Sequence, residues 1–232
     1  MIYLYCLRRS DGARDVVRAL RNLGEESAQG NSPPCNAYVV NWGNRTPPCF
    51  RALNSQIVKT KLKELQLLRH ANVPCPNTTG NSKPGYIARS LHHTNARDLR
   101  RPNTIRGQRY FTEFIPTIRE FRLHVFQGKI IRAALKIPNS PEPHPWIRSH
   151  FAGWAFTYGE RCQRVLTKKI RLAAIQAVAA LGYDFGAVDI GVKEDGSPIV
   201  FEVNSAPGFT QATSQKYAEH ISRWARRQRR ET

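Results

Sequence analysis

Three oxygen-bearing side chains near the C-terminus, Asp189, Glu202 and Asn204, are spaced as a metal site requires. They lie in Gly186-Ala187-Val188-Asp189-Ile190-Gly191-Val192 and its return, Ile199-Val200-Phe201-Glu202-Val203-Asn204, with the two-residue hairpin signal Asp195-Gly196 between. Counting outward from that turn places Asp189 directly opposite Glu202, as a pair outside the ladder hydrogen bonds, where side chains come closest. Asn204 falls on the same face, while Val188, Ile190, Phe201 and Val203 form the other, suited to burial under helices. Opposed carboxylates destabilise a sheet, and Lys193 is the sole basic residue between positions 184 and 202. A magnesium ion held by hard oxygen donors is the natural compensation. The polar turn that follows, Ser205-Ala206-Pro207-Gly208, offers backbone amides to phosphate oxygens. For the hairpin in isolation, an incidentally acidic solvated face is the plainer reading.

The elements that must position these groups follow from periodicity. Met1–Leu7 reads as a strand, and an amphipathic helix after Ser10-Asp11-Gly12 runs to Leu23-Gly24. One more strand, Ala37–Val40, lies among Gly, Asn and Pro. From Ser55 the spacing of Ile57, Leu62, Leu65, Leu68 and Ala71 predicts a helix, stopped at Val73-Pro74-Cys75-Pro76. Tyr86–Ala88, Tyr110–Ile115, Glu120–Phe126 and Lys129–Lys136 alternate as strands, the last two joined at Gln127-Gly128. Residues 138–160 read as irregular. A helix is predicted over Arg164–Leu181 with Val165, Leu172, Ile175 and Val178 on its apolar side, and a final one from Ser214 to Arg230. The expected class is α+β, with a small N-terminal α/β part ending near residue 54 and a larger α+β body over 55–232.

Composition narrows the classes. The 232 residues carry 36 Lys+Arg against 17 Asp+Glu, a net charge of +19, so an acidic partner is expected. A hydrophobic content of 41% excludes a largely disordered chain. No apolar run reaches the length of a membrane span, and five scattered cysteines without a Cys-x-x-Cys pair argue against a zinc knuckle or a disulfide framework. A cytoplasmic protein with reduced thiols, and no membrane partner, is expected. Seven of the acids fall within residues 181–232, Asp189 and Glu202 among them, which suggests a basic shell around one acidic hairpin.

The carboxylate hairpin and its turn resemble the ATP-grasp superfamily, whose metal site is an acidic residue followed about a dozen positions later by Glu-x-Asn and a Pro-Gly turn. The RimK-type carboxylate–amine ligases and short phage ATP-grasp proteins are the most similar branches. Further segments resemble the family in the same order: the Lys61-initiated helix and its exit at Val73-Pro74-Cys75-Pro76, Arg89 where the family has a phosphate-binding Lys, Thr112-Glu113-Phe114-Ile115 as the hinge that holds adenine by backbone groups, Glu120-Phe121-Arg122, and the loop Trp146–His150 with Arg148. The loop Leu91–Asp98 departs from the pattern by lacking glycines, so His93, Asn95 or Arg97 is expected to contribute side chains there.

What the resemblance implies is an ATP-grasp fold and an ATP-dependent ligase that joins a carboxylate, of an amino acid such as glutamate or of a peptide, to an amine through an acyl phosphate. ATP and one or two Mg2+ ions are the implied cofactors, with Mn2+ a substitute. Asp189, Glu202 and Asn204 would hold metal; Lys61, Arg89 and Arg148 would meet phosphate oxygens; Thr112, Glu113, Phe114 and Ile115 would hold adenine. Glu120 would bind ribose or orient Arg122, which would stabilise the acyl phosphate, and Ser205, Pro207 and Gly208 would line the phosphate or substrate turn. His124 shares the face of Glu120 and Arg122, with a solvated role and a functional one equally open. Two alternatives stand beside the ligase: a nucleic-acid-binding module on the same scaffold, and a kinase that stops after phosphoryl transfer. The run Arg223, Arg226, Arg227, Arg229 and Arg230 reads equally as a docked helix with a solvated basic face or as a contact for an acidic acceptor or nucleic acid.

Overall fold

The computed structural model describes residues 1–7, 10–46, 48, 52–91 and 109–231. His93, Asn95 and Arg97 lie outside the described residues. The chain begins with β1 (Ile2–Tyr5), α1 (Asp11–Asn22), β2 (Ser27–Gly30), β3 (Tyr38–Asn41) and β4 (Ala52–Leu53), in a parallel sheet of order β2-β1-β3-β4. The side chain of Ser10 caps α1 by accepting from Ala13 N–H. The short strands β2 and β4 escape sequence reading because they are hydrophobically thin and set in loops.

Helix α2 covers Lys61–His70 and not the span from Ser55: Thr60 caps it, accepting from Lys63 N–H, and Asn72 leaves it at a positive φ of 56°. A three-stranded antiparallel sheet follows, β5 (Thr78–Thr79), β6 (Tyr86–Ser90) and β7 (Arg109–Glu113), in order β5-β7-β6. The rest builds a five-stranded antiparallel sheet of order β10-β9-β8-β11-β12 from β8 (Arg119–Phe126), β9 (Lys129–Pro138), β10 (Trp154–Thr157), β11 (Phe185–Val192) and β12 (Pro198–Asn204). β8 and β9 pair Phe126 with Lys129 across Gln127 and Gly128, whose φ values of 44° and 73° are the two positive values that a type I′ turn requires. β10 emerges inside the stretch read as irregular.

A separate short helix, α3 (Glu160–Gln163), comes first, and the helix expected over Arg164–Leu181 is α4 (Lys168–Ala180), capped by Thr167. Its buried side is Ile170, Ala173, Ala174, Ala177 and Val178, and Leu172 is exposed. The small alanines let the helix lie close on the sheet, where larger residues would hold it off. α5 (Gln211–Gln228) closes the chain with Tyr217, Ile221 and Trp224 buried, as its apolar stripe required.

One core joins the inner face of the five-stranded sheet (Phe121, Leu123, Val125, Val188, Ile190, Val200, Val203) to α2 and α4. A second lies between α1, α5, the parallel sheet and the far end of β8 and β11, where Trp42 stacks on Phe185 at 5.3 Å and Phe185 on Phe126 at 5.8 Å. The other face of the sheet is thus covered at one end by α5 and open at the other. Cys6, Cys35, Cys75 and Cys162 are free thiols among the described residues. No helix among them is long and apolar enough to cross a membrane.

A candidate active site in the cleft

The open end of the sheet floors a cleft of about 1460 Å³, walled by α2, by β6 and β7 of the three-stranded sheet, by the loop after β3 and by the turn after β12. Strand register creates its central row. Asp189 on β11 lies between Arg122 on β8 and Glu202 on β12. The Arg122 guanidinium donates to both oxygens of Asp189, at 2.7 and 2.8 Å, and lies 4.7 Å over the Phe156 ring. Burial works against the Arg122 charge, and the adjoining Asp189 outweighs it, so its pKa rises above the ordinary arginine value.

The opposition of Asp189 and Glu202 is reached by a different route from the one the sequence suggested. The turn is a three-residue loop, Glu194-Asp195-Gly196, with Gly196 at a φ of 78° and Lys193 and Ser197 hydrogen bonded across it. That shifts the pairing by one residue, and a bulge at Phe201 between the Asp189 and Ile190 pairings shifts it back. Val200 therefore takes the core position, and Phe201 joins Glu202 in the cleft lining, where the sequence placed it in the core. Gly191 makes room for it: a Cβ there would come within 2.7 Å of the Phe201 ring and 2.5 Å of Thr117.

The compensating positive charge does not come from Lys193, which pairs with Asp195 in the turn at 3.6 Å. It comes from neighbouring elements. Lys61, at the start of α2, sits 3.3 Å from Glu202 and 3.4 Å from Glu64. Burial disfavours its charge, yet the two carboxylates more than offset this and raise its pKa. Burial pushes the Glu64 carboxyl up, against the pull of Lys61, and Glu64 accepts from Val203 N–H at 2.7 Å, fastening α2 to β12. Lys136 on β9 is 2.9 Å from Glu120 and 4.0 Å from Asp189, and these acids outweigh its burial to raise its pKa. Glu120 thus holds Lys136, with Arg148 at 3.9 Å, while Arg122 is held by Asp189; an orienting role of Glu120 toward Arg122 is not what the contacts give. Arg148 donates to Thr117 O at 2.6 Å and lies 4.9 Å over Trp154.

Arg89, Thr112, Glu113, Phe114 and Ile115 line the same cleft, as do Ser205, Pro207 and Gly208. The N–H groups of Glu113 and Phe114 donate to Asn77 O and Gly85 O, so both are taken up within the protein. Phe114 and Trp146, both partly exposed, meet edge to face at 5.6 Å on the rim. The turn at 205–208 is pressed against the N-terminal part, since a Cβ on Gly12 would meet Pro207 O at 2.7 Å and one on Gly43 would meet Ala206 at 2.6 Å.

His124 is fully buried, neither solvated nor in the cleft. Its Nδ1 lies 3.1 Å from the Tyr217 hydroxyl of α5, and burial, with Arg122 nearby, lowers its pKa to about 3, so it is neutral. Sequence reasoning missed Glu64, Lys136, Phe156 and Phe201. Lys136 was hidden by a further bulge, a register shift between His124 and Val125 on the β8–β9 ladder, which turns it from the core face to the cleft.

Two carboxylates and an amide on adjacent strands are a hard-oxygen set that fits a magnesium ion. Asn204 donates to Glu202 at 2.7 Å, so the three groups are already gathered. Among the described residues no cluster of three His, Cys, Asp or Glu side chains is placed to hold a metal.

No family model and no curated protein sequence matches the chain. Its architecture does match solved structures. The ATP-grasp ligase PsnB complexed with minimal precursor, Mg and ADP superposes at a TM-score of 0.67 and 14% identity, over 95% of this chain and 96% of that one. D-alanine–D-alanine ligase from Bacillus anthracis does so at 0.67 and 14%, over 99% and 98%, and a RimK domain ATP-grasp protein from Sphaerobacter thermophilus DSM 20745 at 0.59 and 15%, over 94% and 98%. Across nearly its whole described length, then, this α+β chain has the ATP-grasp fold.

Proposed function

We propose that the protein is an ATP-dependent carboxylate–amine ligase working through an acyl phosphate. The observation that carries this reading is the row Arg122–Asp189–Glu202 with Lys61 and Lys136 beside it, on the floor of a cleft large enough for a nucleotide and a second substrate. Phosphoryl transfer needs positioning and charge neutralisation more than covalent help, and paired acids and cations of this kind supply both.

Lys61, Arg89 and Arg148 bind phosphate oxygens, and the 112–115 segment and Phe201 enclose the base. Asp189, Glu202 and Asn204 would hold magnesium, which would neutralise phosphate charge. A carboxylate oxygen of the substrate attacks the γ-phosphorus and ADP leaves; the amine then attacks the acyl carbon, phosphate leaves and the amine gives up a proton. Arg122 stabilises the charge that develops on the acyl phosphate, and Lys136, held by Glu120, adds a second cation there. Residues 55–115 cover the nucleotide, 116–232 carry the reacting groups, and 1–54 contribute Asn44 and Arg45 to the acceptor side. An acidic amino acid or peptide as the carboxylate suits the cations of the cleft.

Glu202→Gln tests this directly: ADP release should fall at least about a hundredfold, as expected when a group holding transition-state charge is lost, while circular dichroism and the melting temperature stay near wild type. A Glu202→Gln protein with undiminished ADP release would overturn the assignment.

A further inference from the structure

The cleft accounts for little of the charge. Seven Lys or Arg side chains line it against five Asp or Glu among the described residues, a surplus of two in a chain of net charge +19. Helix α5 shows where more of the surplus sits. Its buried side is locked, and on one flank Arg226 and Arg229 are bound at 2.9 and 2.8 Å by the buried carboxylate of Glu25. The other flank carries Lys216, His220, Arg223 and Arg227, spaced four, three and four residues apart and therefore on one stripe. Arg227 donates to Gln127 at 3.0 Å, which brings the tip of the β8–β9 hairpin and exposed Lys129 alongside. Glu219 is the acid on this face, 3.0 Å from Lys216 and 3.9 Å from Arg223.

We propose that this face, α5 with the β8–β9 tip, binds the phosphate backbone of a nucleic acid at a site separate from the cleft. It stands at the end of the sheet that α5 covers, opposite the open end, so the proposal does not depend on the ligase reading. Three features favour nucleic acid over other polyanions. The patch holds fixed charge with no exposed aromatic or aliphatic anchor, so a partner must be held by electrostatics alone; nucleic acid, with one charge per about 1.7 Å of duplex, gains most from counterion release. An acidic peptide is less densely charged than a duplex and gains less from counterion release. An anionic membrane would need apolar side chains to insert, and those of α5 (Tyr217, Ile221 and Trp224) are in the core. Arginine forks suit phosphate, and phosphate contacts position the partner without reading its sequence.

The test is fluorescence anisotropy of a labelled duplex, DNA or RNA, about two helical turns long, with the full-length protein over a salt series. Lys129, Lys216, Arg223 and Arg227 give an expected slope of log K against log salt of about −3 to −4. Arg223→Ala/Arg227→Ala should flatten that slope by about 2 and weaken binding at least about tenfold at moderate salt, with the melting temperature unchanged. Arg14→Ala/Arg18→Ala, which removes the same charge from α1, should leave the slope as it was. The proposal fails if the two pairs weaken binding equally, since net charge alone would then explain it. It also fails if a polyglutamate peptide displaces the duplex at equal charge, or if anionic phosphatidylserine vesicles bind and the duplex does not.

Discussion

Lys136 illustrates what single residues do here. Its ammonium is buried between Glu120 and Asp189, and removing it takes from buried Glu120 its close partner, with Arg148 standing at 3.9 Å, while Asp189 keeps Arg122. Lys136→Met is expected to lower stability by about 3 kcal/mol, read from the urea midpoint, and Lys136→Met/Glu120→Gln to recover most of that loss. A single variant as stable as wild type would show that the cluster is solvated and contributes little. Lys136 also marks the limit of reading residues from sequence. Asp189, Glu202 and Asn204 declare themselves by type and spacing, but the face on which Lys136 or Phe201 emerges depends on a bulge in each ladder. A bulge has no signature in alternation: the polar residue simply arrives one position late. The opposition of Asp189 to Glu202 was legible only because a longer turn and a bulge cancel.

At the scale of elements, strands and helices with strong apolar periods were legible. α2 began later than expected because Thr60, not the first apolar residue, sets its start. The joint between α5 and the N-terminal part was not legible, since it rests on a contact between residues about two hundred positions apart. Glu25 accepts from Ser222 at 2.6 Å and pairs with Arg226 and Arg229; burial would raise its pKa, but these partners bring it down to about 2. A depressed carboxyl stabilises the fold above its unfolded pKa near 4.5, and that contribution, at most about 3 kcal/mol, is lost as pH falls from there toward 2. Glu25→Gln should therefore cost stability at neutral pH and flatten the decline between pH 4.5 and 2 in chemical-denaturation series. An unchanged acid limb would remove Glu25 from the account.

Over the whole molecule, the sequence suggested a basic shell around an acidic hairpin, and the structure divides that charge. Acids and bases in the cleft are interleaved and nearly balanced, with Glu64, Glu120, Asp189 and Glu202 each held beside a cation by adjoining strands or by α2. The surplus faces outward, on α5 among other places, so net charge alone said little about the cleft. What identifies the fold is the match of the whole architecture to solved ATP-grasp structures at only 14–15% identity. The proposed chemistry is best tested by incubating the protein with ATP, Mg2+ and pools of amino acids and acidic peptides, following ADP release and product masses together. The account predicts ADP release that requires both a carboxylate and an amine, with a product equal to their sum less one water. ADP release that needs no amine and yields a stable phosphorylated product, or no stimulation by any pool, would contradict it.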